Sequence, residues 1–447
     1  MAINAGDGQR VSAENERIRV AFLLLLGLGI REAFSFWTAH PFDFEIWVRL
    51  GYYVSRGADP YVSTLPIPGL SIPGTGTLPS IAYPPFWAFM QALVYDLYSL
   101  LGYSNRFFYY FLLKQETIIP DILVGYLIYR IIAQRGNTEG AGRALAFWMV
   151  CPFVVIISAV WGMFDQLVLL AVLVSMLFAR NTLTSAASEG LGIVLKAIPI
   201  IFLPVLTVRQ STKGSRLLFI LLAPGLAVFL TLVPYLYFHS WSLSALLGAG
   251  SSAASVPSNS MNYWVIAYVV YGYSLLPSSL NQFVNGMGYV WILALVLAYV
   301  YTLRKTPRDG ISIEYSILAL QFITLVFFLT RIGIAEQYLT YFLGFGLLEQ
   351  HTIGKARSRL FTGVWVSAMG YLLANNSYLL RFLSPLSAQF VGLDNTLSSG
   401  MLGVVRNGLM IVAALAFTAF CALYLRSLYS EIKSRRTSLQ LTGALQG

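Results

Sequence analysis

Long apolar runs separated by short polar segments dominate the chain. A helix needs roughly 20 residues to cross a bilayer, and many of the runs approach that length. The runs lie near 20–39, 84–101, 107–133, 144–163, 165–180, 188–206, 216–238, 289–304, 312–331, 335–350, 359–380 and 403–425. The pattern predicts an all-α, polytopic membrane protein with about 11–13 membrane helices. We expect one transmembrane domain over 20–425, between an N-terminal segment (1–19) and a basic tail (426–447).

The longest polar interruption of the N-terminal half, residues 40–83, follows the first apolar run. It begins HPFDFEIWVRLGYYVSRG, in which apolar and charged side chains fall on different sides of a helix. We therefore expect a long first outer loop that carries an interfacial helix.

Composition supports the membrane assignment. Of the 447 residues, 57% are apolar and only 11% are charged, against about 25% in a soluble domain. These values exclude a soluble enzyme and a disordered chain. With two cysteines and three histidines widely spaced, neither a disulfide framework nor a zinc site is indicated.

The net charge of +10 is explained by topology, since basic residues cluster in short loops and the tail and no nucleic-acid partner is needed. The clusters are Arg10, Arg17, Arg19; Arg130, Arg135, Arg143; Arg209, Lys213, Arg216; Arg304, Lys305, Arg308; Lys355, Arg357, Arg359; and Arg426, Lys433, Arg435, Arg436. If all lie inside, one of 84–101 and 107–133 must fail to cross, and likewise one of 165–180 and 188–206. Either some helices are re-entrant or the charge rule is violated. The membrane would be a prokaryotic plasma membrane or the endoplasmic reticulum.

Carboxylates converge on the outer face in this topology. They are Asp43, Glu45, Asp59, Asp165 and Glu336. They either build a polar site or simply solvate the loops. Asp43 stands between Phe42 and Phe44, and a partly desolvated carboxylate there suits a general base.

Several short motifs predict the local shape of this face. Asp59-Pro60-Tyr61 and Tyr83-Pro84-Pro85 indicate turns, and Pro85 could equally begin a helix. Gly162 permits a tight turn between Trp161 and Asp165, and Asp165 could also merely cap the next helix.

Intramembrane cations are costly and are therefore candidates for binding an anion. They include Lys114, Lys196 and Arg331. Lys196 precedes Pro199, so we expect its helix to be broken there. Arg331 could instead form a local ion pair with Glu336 or extend to the interface.

An ordered series of motifs resembles a known family. The series is FDFEIW, GADPY, IAYPPFWAFMQALVY, LLKQETIIPDILVGYLIYRII, CPFVVIISAVWGMFDQLVLL, GLGIVLKAIPIIFLPV and RIGIAEQY. It resembles the multi-spanning glycosyltransferases of the C-type (GT-C) fold that use polyprenyl- or dolichyl-phosphate sugars. The nearest members are archaeal relatives of the GPI mannosyltransferases and the dolichyl-phosphate-glucose glucosyltransferases.

The resemblance implies a luminal or extracytoplasmic transfer of a hexose, mannose or glucose, to a hydroxyl of a lipid-linked or glycan acceptor with inversion. It implies Asp43 as the catalytic base, with Glu45 as the other candidate. It implies that Lys196, Arg331 or Lys114 holds the departing phosphate. Further substrate-binding positions would be Glu45, Asp59, Tyr61, Tyr83, Trp161, Asp165, Glu336 and Gln337. The single Asp-Phe-Glu of the first loop weakens the case for a divalent metal, so no cofactor is certain, and Mg²⁺ or Mn²⁺ stays open.

Two other functions fit the same composition. A transporter or flippase of a lipid-linked sugar shares the buried charges and broken helices, but it predicts an internal repeat, which the sequence lacks. A non-catalytic membrane subunit would tolerate loss of Asp43.

Overall fold

The computed structural model describes residues 5–79, 81, 83–102, 104–237, 260–271, 278–304 and 311–444. In these ranges the only β contact is one antiparallel bridge between Thr64 and Leu78. The α-helices of this part of the chain are α1 Ala5–Ser35, α2 Asp43–Val54, α3 Pro85–Leu100, α4 Arg106–Ala133, α5 Thr138–Val150, α6 Pro152–Val155, α7 Asp165–Leu177, α8 Thr182–Leu195, α9 Leu203–Arg209, α10 Lys213–Tyr237, α11 Val265–Tyr271, α12 Ser278–Met287, α13 Val290–Leu303, α14 Ile313–Thr330, α15 Leu339–Thr352, α16 Ser358–Asn375, α17 Ala388–Leu397 and α18 Gly400–Ala444. A π-helical turn covers Ile156–Trp161, and 3₁₀ turns cover Ile198–Ile201, Glu336–Tyr338 and Ser377–Leu383. The predicted all-α class is confirmed.

The described chain contains three helices long and apolar enough to cross a membrane. They are Lys213–Leu236 in α10, Ile313–Thr330, which is α14, and Gly400–Arg435 in α18. A fourth candidate joins Thr138–Val150 to Pro152–Trp161 across a bend of 48°. Only 22% and 28% of the apolar windows of α10 and α18 are buried, against 78% in α14. The first two therefore present apolar surface outwards, as a lipid-facing helix does, whereas α14 belongs to the core.

The helices run between two ends of the molecule. At one end the N–H of Ala39 donates to the carbonyl of Phe382 over 2.9 Å. At the other, the side chain of Asn137 donates to the carbonyl of His351 over 2.8 Å. We call the first the site end, because the carboxylates of the candidate site lie there, and the second the basic end.

Helix α3 begins and ends at the site end. Trp87 in its first turn stacks on Phe164, with ring centroids 4.0 Å apart. Just beyond its last residue, Arg106 donates to the carbonyl of Pro385 over 2.9 Å, close to the segment that holds Phe382. Both ends of the run 84–101 therefore lie at the site end, which fits the hypothesis of a re-entrant or half-crossing helix in the first pair.

The run 188–206 is split in two. Helix α8 ends at Leu195, and Lys196 is extended, with φ −156° and ψ 133°. The chain then returns through α9 until Arg209 donates to the carbonyl of Met176, near the end of α7, over 2.9 Å. The 14 residues of α8 span only about 21 Å at about 1.5 Å per residue, less than a hydrocarbon core of about 30 Å. The break expected before Pro199 is present, and the return of the chain to the basic end fits the hypothesis of a re-entrant segment.

Helix α2 forms where the sequence predicts a helix, but it lies inside the protein. Phe44, Glu45 and Arg49 are all 0–1% exposed. The Glu45 carboxylate accepts from Arg49 Nε over 2.6 Å and from the N–H of Ile72 over 2.8 Å. Glu45 and Arg49 can be buried because their opposite charges form an i, i+4 ion pair, whereas either charge alone could not. In the sequence, the same two charges are typical of a surface helix.

Candidate active site

Asp43 opens α2 at the site end, and its carboxylate is bonded but accessible. Trp161 Nε1 donates to Asp43 Oδ2 over 3.0 Å. The side chain of Asp43 is 26% exposed. Burial raises the pKa of Asp43 above its ordinary value of 3.8, while the bond from Trp161 and the charges of Lys196 and Arg381 oppose the rise. A carboxyl with a raised pKa and solvent access suits proton abstraction.

His40 positions Asp43 and is itself neutral. Its Nδ1 accepts the backbone N–H of Asp43 over 3.1 Å, so this nitrogen carries no proton. Burial, and then the charge of Arg381, lower the pKa of His40 well below 6.5. The 3.4 Å approach of His40 Nδ1 to Asp43 Oδ2 is therefore not an ion pair. The imidazole also stacks on Trp161, with ring centroids 4.7 Å apart.

Gly162 allows Trp161 to reach Asp43. The π-helical turn Ile156–Trp161 ends at Gly162, which has φ +86°. A Cβ at this position would lie 2.5 Å from the ring of Phe44 in α2. Only glycine meets both conditions, so the turn predicted from the sequence is confirmed.

Asp165 and Lys196 form a buried pair at the start of α7. Lys196 Nζ lies 2.9 Å from both carboxylate oxygens of Asp165, and Tyr341 donates its hydroxyl to Asp165 Oδ1 over 3.3 Å. The residue before α7, Phe164, makes no side-chain cap, and the Asp165 side chain is committed to Lys196. Helix capping is thus not the role of Asp165.

Arg331 follows α14 and lies beside the ring of Tyr338. Its guanidinium carbon is 5.6 Å from that ring centroid, and its NH1 donates to the Tyr338 hydroxyl over 3.4 Å. Lys196 lies on the same ring, 4.8 Å from its centroid. The positive charges of Arg331 and Lys196 both act on the Tyr338 hydroxyl. This part of the site is electropositive.

The predicted local ion pair between Arg331 and Glu336 is wrong. Glu336 accepts instead from Asn375 Nδ2 over 2.6 Å and from Asn376 Nδ2 over 3.5 Å. Within the described residues, no carboxylate lies at ion-pairing distance from Arg331. Lys114, by contrast, is fully buried and donates to the carbonyls of Thr38 and Ala159 over 2.5 and 2.6 Å. Of the three candidate cations, Arg331 alone has neither a counter-ion nor a carbonyl cage in this part of the chain.

The segment after α16 completes the site and was not predicted. Ser377, Tyr378 and Leu379 have φ of +47°, +57° and +72°, a backbone region costly for residues with a side chain. The Ser377 hydroxyl donates to Asp394, and Arg381 donates to the same carboxylate over 2.9 Å. The segment therefore places Asn375, Asn376 and Arg381 against Glu336 and His40. No hydropathy pattern signals it.

The remaining predicted site residues of the first loop shape it. The N–H of Tyr61 donates to Asp59 Oδ1 over 2.8 Å, and the Tyr61 hydroxyl donates to the carbonyl of Tyr83 over 2.9 Å. The Tyr83 ring lies 5.5 Å from Lys196 Nζ. The Glu45 carboxylate is bonded to Arg49 and to the N–H of Ile72, so it stabilises the first loop. It is not one of the side chains that surround Asp43.

Gln337 differs from these residues. It is 7% exposed, and its Oε1 has no hydrogen-bond partner in the described chain. The buried Asn375 Oδ1 also lacks one. Such orphaned acceptors are costly unless a ligand satisfies them.

The site does not fit a divalent metal. No group of three or more His, Cys, Asp and Glu side chains in the described ranges is placed to hold one. Asp165 is neutralised by Lys196, and Asp43 is bonded to Trp161.

Comparisons with known proteins give few matches. No family model and no curated protein matches the chain. Among solved structures, the chain is similar to the crystal structure of ArnT from Cupriavidus metallidurans bound to undecaprenyl phosphate. The sequence identity is 13% and the TM-score is 0.46, over 94% of this chain and 77% of that one.

Proposed function

We propose that this protein is an integral-membrane glycosyltransferase. It moves a hexose from a polyprenyl-phosphate donor to a hydroxyl of a lipid-linked or glycan acceptor. The observation that carries the proposal is the Asp43 carboxylate, which is 26% exposed, has a raised pKa and shares an electrostatic environment with Lys196 and Arg381. Mannose or glucose as the sugar rests only on the family resemblance of the motifs.

The proposed reaction is a single displacement. Asp43 takes the proton of the acceptor hydroxyl, and the freed oxygen bonds to the anomeric carbon. The bond from that carbon to the phosphate oxygen breaks on the opposite face, so the configuration inverts and the phosphate leaves on its lipid. General-base catalysis of this kind contributes roughly 10²–10⁴-fold.

Arg331 is the proposed partner of the leaving phosphate. It is free of carboxylates in the described chain and sits on the Tyr338 ring that Lys196 also touches. A guanidinium forms two parallel bonds to a phosphate, and these strengthen as charge develops on the leaving oxygen. The Lys196 ammonium is held by Asp165 and adds positive potential without leaving its partner.

The sugar would lie among aromatic rings and orphaned amides. Tyr83 and Tyr338 supply ring faces, and Gln337 Oε1 and Asn375 Oδ1 supply buried acceptors for hydroxyl groups. The outward apolar surfaces of α10 and α18 admit a long isoprenoid from the lipid. The carboxylate-rich side of the site would select a neutral, hydroxylated group over an anion.

The test is transfer of radiolabelled sugar from a panel of polyprenyl-phosphate sugars by the purified protein in detergent. We compare the wild type with Asp43→Asn and with Asp96→Asn, a matched loss of one exposed carboxylate on α3. The expected result is a fall of about 10²–10⁴-fold for Asp43→Asn only. The same assay with EDTA added shows whether transfer requires a divalent metal ion.

No transfer from any donor by folded wild-type protein would refute the proposal. Equal activity of Asp43→Asn and wild type would remove Asp43 from the mechanism and would favour the non-catalytic subunit.

The site end is proposed to face the extracytoplasmic or luminal side, since basic residues such as Arg135, Arg209 and Arg357 lie at the other end. Leu65→Cys and Lys355→Cys place exposed thiols at the two ends, while Cys151 and Cys421 are buried. An impermeant maleimide added outside intact cells should label the Leu65→Cys variant and not the Lys355→Cys variant. If only the Lys355→Cys variant is labelled, the orientation of the protein is the opposite of the one proposed.

One observation favours the transporter alternative. Glu189 in α8 is 0% exposed, and neither of its carboxylate oxygens has a partner in the described chain. Buried acids in broken helices often couple transport to ions. If the protein is a glycosyltransferase, Glu189→Gln should retain transfer. A flippase would instead show loss of lipid translocation in liposomes with this variant.

A further inference from the structure

A cavity of about 510 Å³ opens at the basic end, away from the candidate active site. It lies where α4, α7, α9 and α14 meet. Its walls are formed by Arg130, Gln134, Arg135, Leu177, Phe178, Arg180, Arg209 and Ile313. The volume is in the range of small-molecule binding sites, roughly 300–1,000 Å³.

Four separate segments each bring one arginine to this cavity. Arg130 comes from α4, Arg135 from the turn after it, Arg180 from the turn before α8 and Arg209 from the end of α9. No lining residue is a carboxylate. Among the described residues, the one carboxylate paired with a lining arginine is that of Glu314, 3.1 Å from Arg135. The formal excess is three positive charges.

Arg209 is fixed in place by the fold. Its Nε donates to the carbonyl of Met176 over 2.9 Å and its NH1 to the carbonyl of Ile311 over 3.3 Å. Its charge interacts with those of Arg135 and Arg180. The fold thus holds like charges together, and this repulsion is relieved when an anion binds between them.

We propose that this cavity binds a phosphate group, and that its natural occupant is the headgroup of an anionic phospholipid. Guanidinium groups match phosphate oxygens in pairs. Leu177, Phe178 and Ile313 form an apolar part of the wall, and Phe178 is 46% exposed, which suits the acyl chain attached to such a headgroup. Basic pockets between membrane helices on the cytoplasmic side recognise phospholipids by this chemistry. The inference does not depend on the glycosyltransferase proposal.

The test measures binding to the delipidated full-length protein in detergent by native mass spectrometry. The probes are dioctanoyl phosphatidylglycerol, dioctanoyl phosphatidylcholine and inorganic phosphate. The variants are Arg180→Gln and Arg130→Gln, both exposed. Arg359→Gln is the matched control, because it removes one exposed charge from the basic end outside the cavity.

We expect phosphatidylglycerol to bind more tightly than phosphatidylcholine. Either cavity variant should weaken that binding about tenfold or more, because a bond to a charged partner contributes about 1.5–3 kcal/mol. The control should leave it unchanged. Arginine-dependent binding of inorganic phosphate without the lipid would keep the anion site but assign it to a soluble phosphate. Equal binding of all probes, or equal loss in the control, would overturn the proposal.

Discussion

The Lys196 ammonium lies 2.9 Å from each carboxylate oxygen of Asp165, and both side chains are at most 4% exposed. The pair ties the start of α7 to the break after α8. Removal of one partner leaves a buried charge without compensation, which costs about 3–5 kcal/mol. We therefore expect Asp165→Asn to lower the free energy of unfolding by about that amount, measured by denaturant titration in detergent.

The double variant Asp165→Asn with Lys196→Met is the control for this prediction. It removes both charges and should regain much of the lost stability. If the single and the double variants lose stability equally, the two side chains do not form an energetic pair.

The Asp43 carboxylate predicts a pH profile. The base works only when it is ionised, so the transfer rate should rise with pH through a pKa above 3.8. Over the same range the folded state binds more protons than the unfolded state, so the contribution of Asp43 to stability falls as the pH rises. The rate profile of the wild type, read as kcat/KM against pH, gives the position of this acid limb.

Trp161→Phe tests which interaction determines the pH of the acid limb. The indole N–H stabilises the ionised form of Asp43, and without it the pKa of Asp43 should rise further. The acid limb should move to higher pH, with the maximal rate less affected. Trp365→Phe, in the middle of α16 and packed on Phe147, is the control. If the acid limb of the pH profile does not move in Trp161→Phe, the profile does not report the ionisation of Asp43.

Arg331 should affect the donor and not the acceptor. Arg331→Gln removes the phosphate contact, and we expect the KM for the polyprenyl-phosphate sugar to rise about tenfold or more, because a charge-assisted bond contributes about 1.5–3 kcal/mol. Arg331→Lys keeps the charge and should recover part of the loss. Initial rates with each substrate varied in turn measure the effect, and a change confined to the acceptor KM would reassign Arg331.

Gly162→Ala should destabilise the protein and impair the site together. It forces a side chain into φ +86° and places a Cβ 2.5 Å from the Phe44 ring, at a cost of about 1–3 kcal/mol. Gly29→Ala, with no atom within 4 Å of its new Cβ, should be neutral or stabilising inside α1. Thermal unfolding of both variants would check the contrast, and equal midpoints would argue against strain at Gly162.

Local chemistry in the sequence predicted the breaks and turns of the site well. Pro85 begins α3, Gly162 ends a helix with positive φ, and the helix that leads to Lys196 stops before Pro199. Each outcome depends on the residue itself and its nearest neighbours, so a single sequence contains the information. The charge rule pointed to an irregularity in two pairs of runs, although it could not say which member of each pair was concerned.

Long-range pairing could not be predicted in this way. Glu45 looked like a site residue because its carboxylate lies two positions from Asp43, yet Arg49 and Ile72 engage it. His40 and Asn375 were missed because their roles depend on partners far along the chain. The positive φ values from Ser377 to Leu379 arise from tertiary bonds, and none of those residues is a glycine that would have marked them.

The shortness of α8 determines how deep in the bilayer the candidate site lies. A helix of about 21 Å that starts near the basic boundary ends about 9 Å short of the opposite edge of a 30 Å hydrocarbon layer. Lys196 is 3% exposed and would then lie below the level of the lipid headgroups, enclosed by protein. A change in membrane thickness would change the height of the headgroups above Lys196, so on the proposed function we expect the transfer rate to depend on the thickness of the membrane.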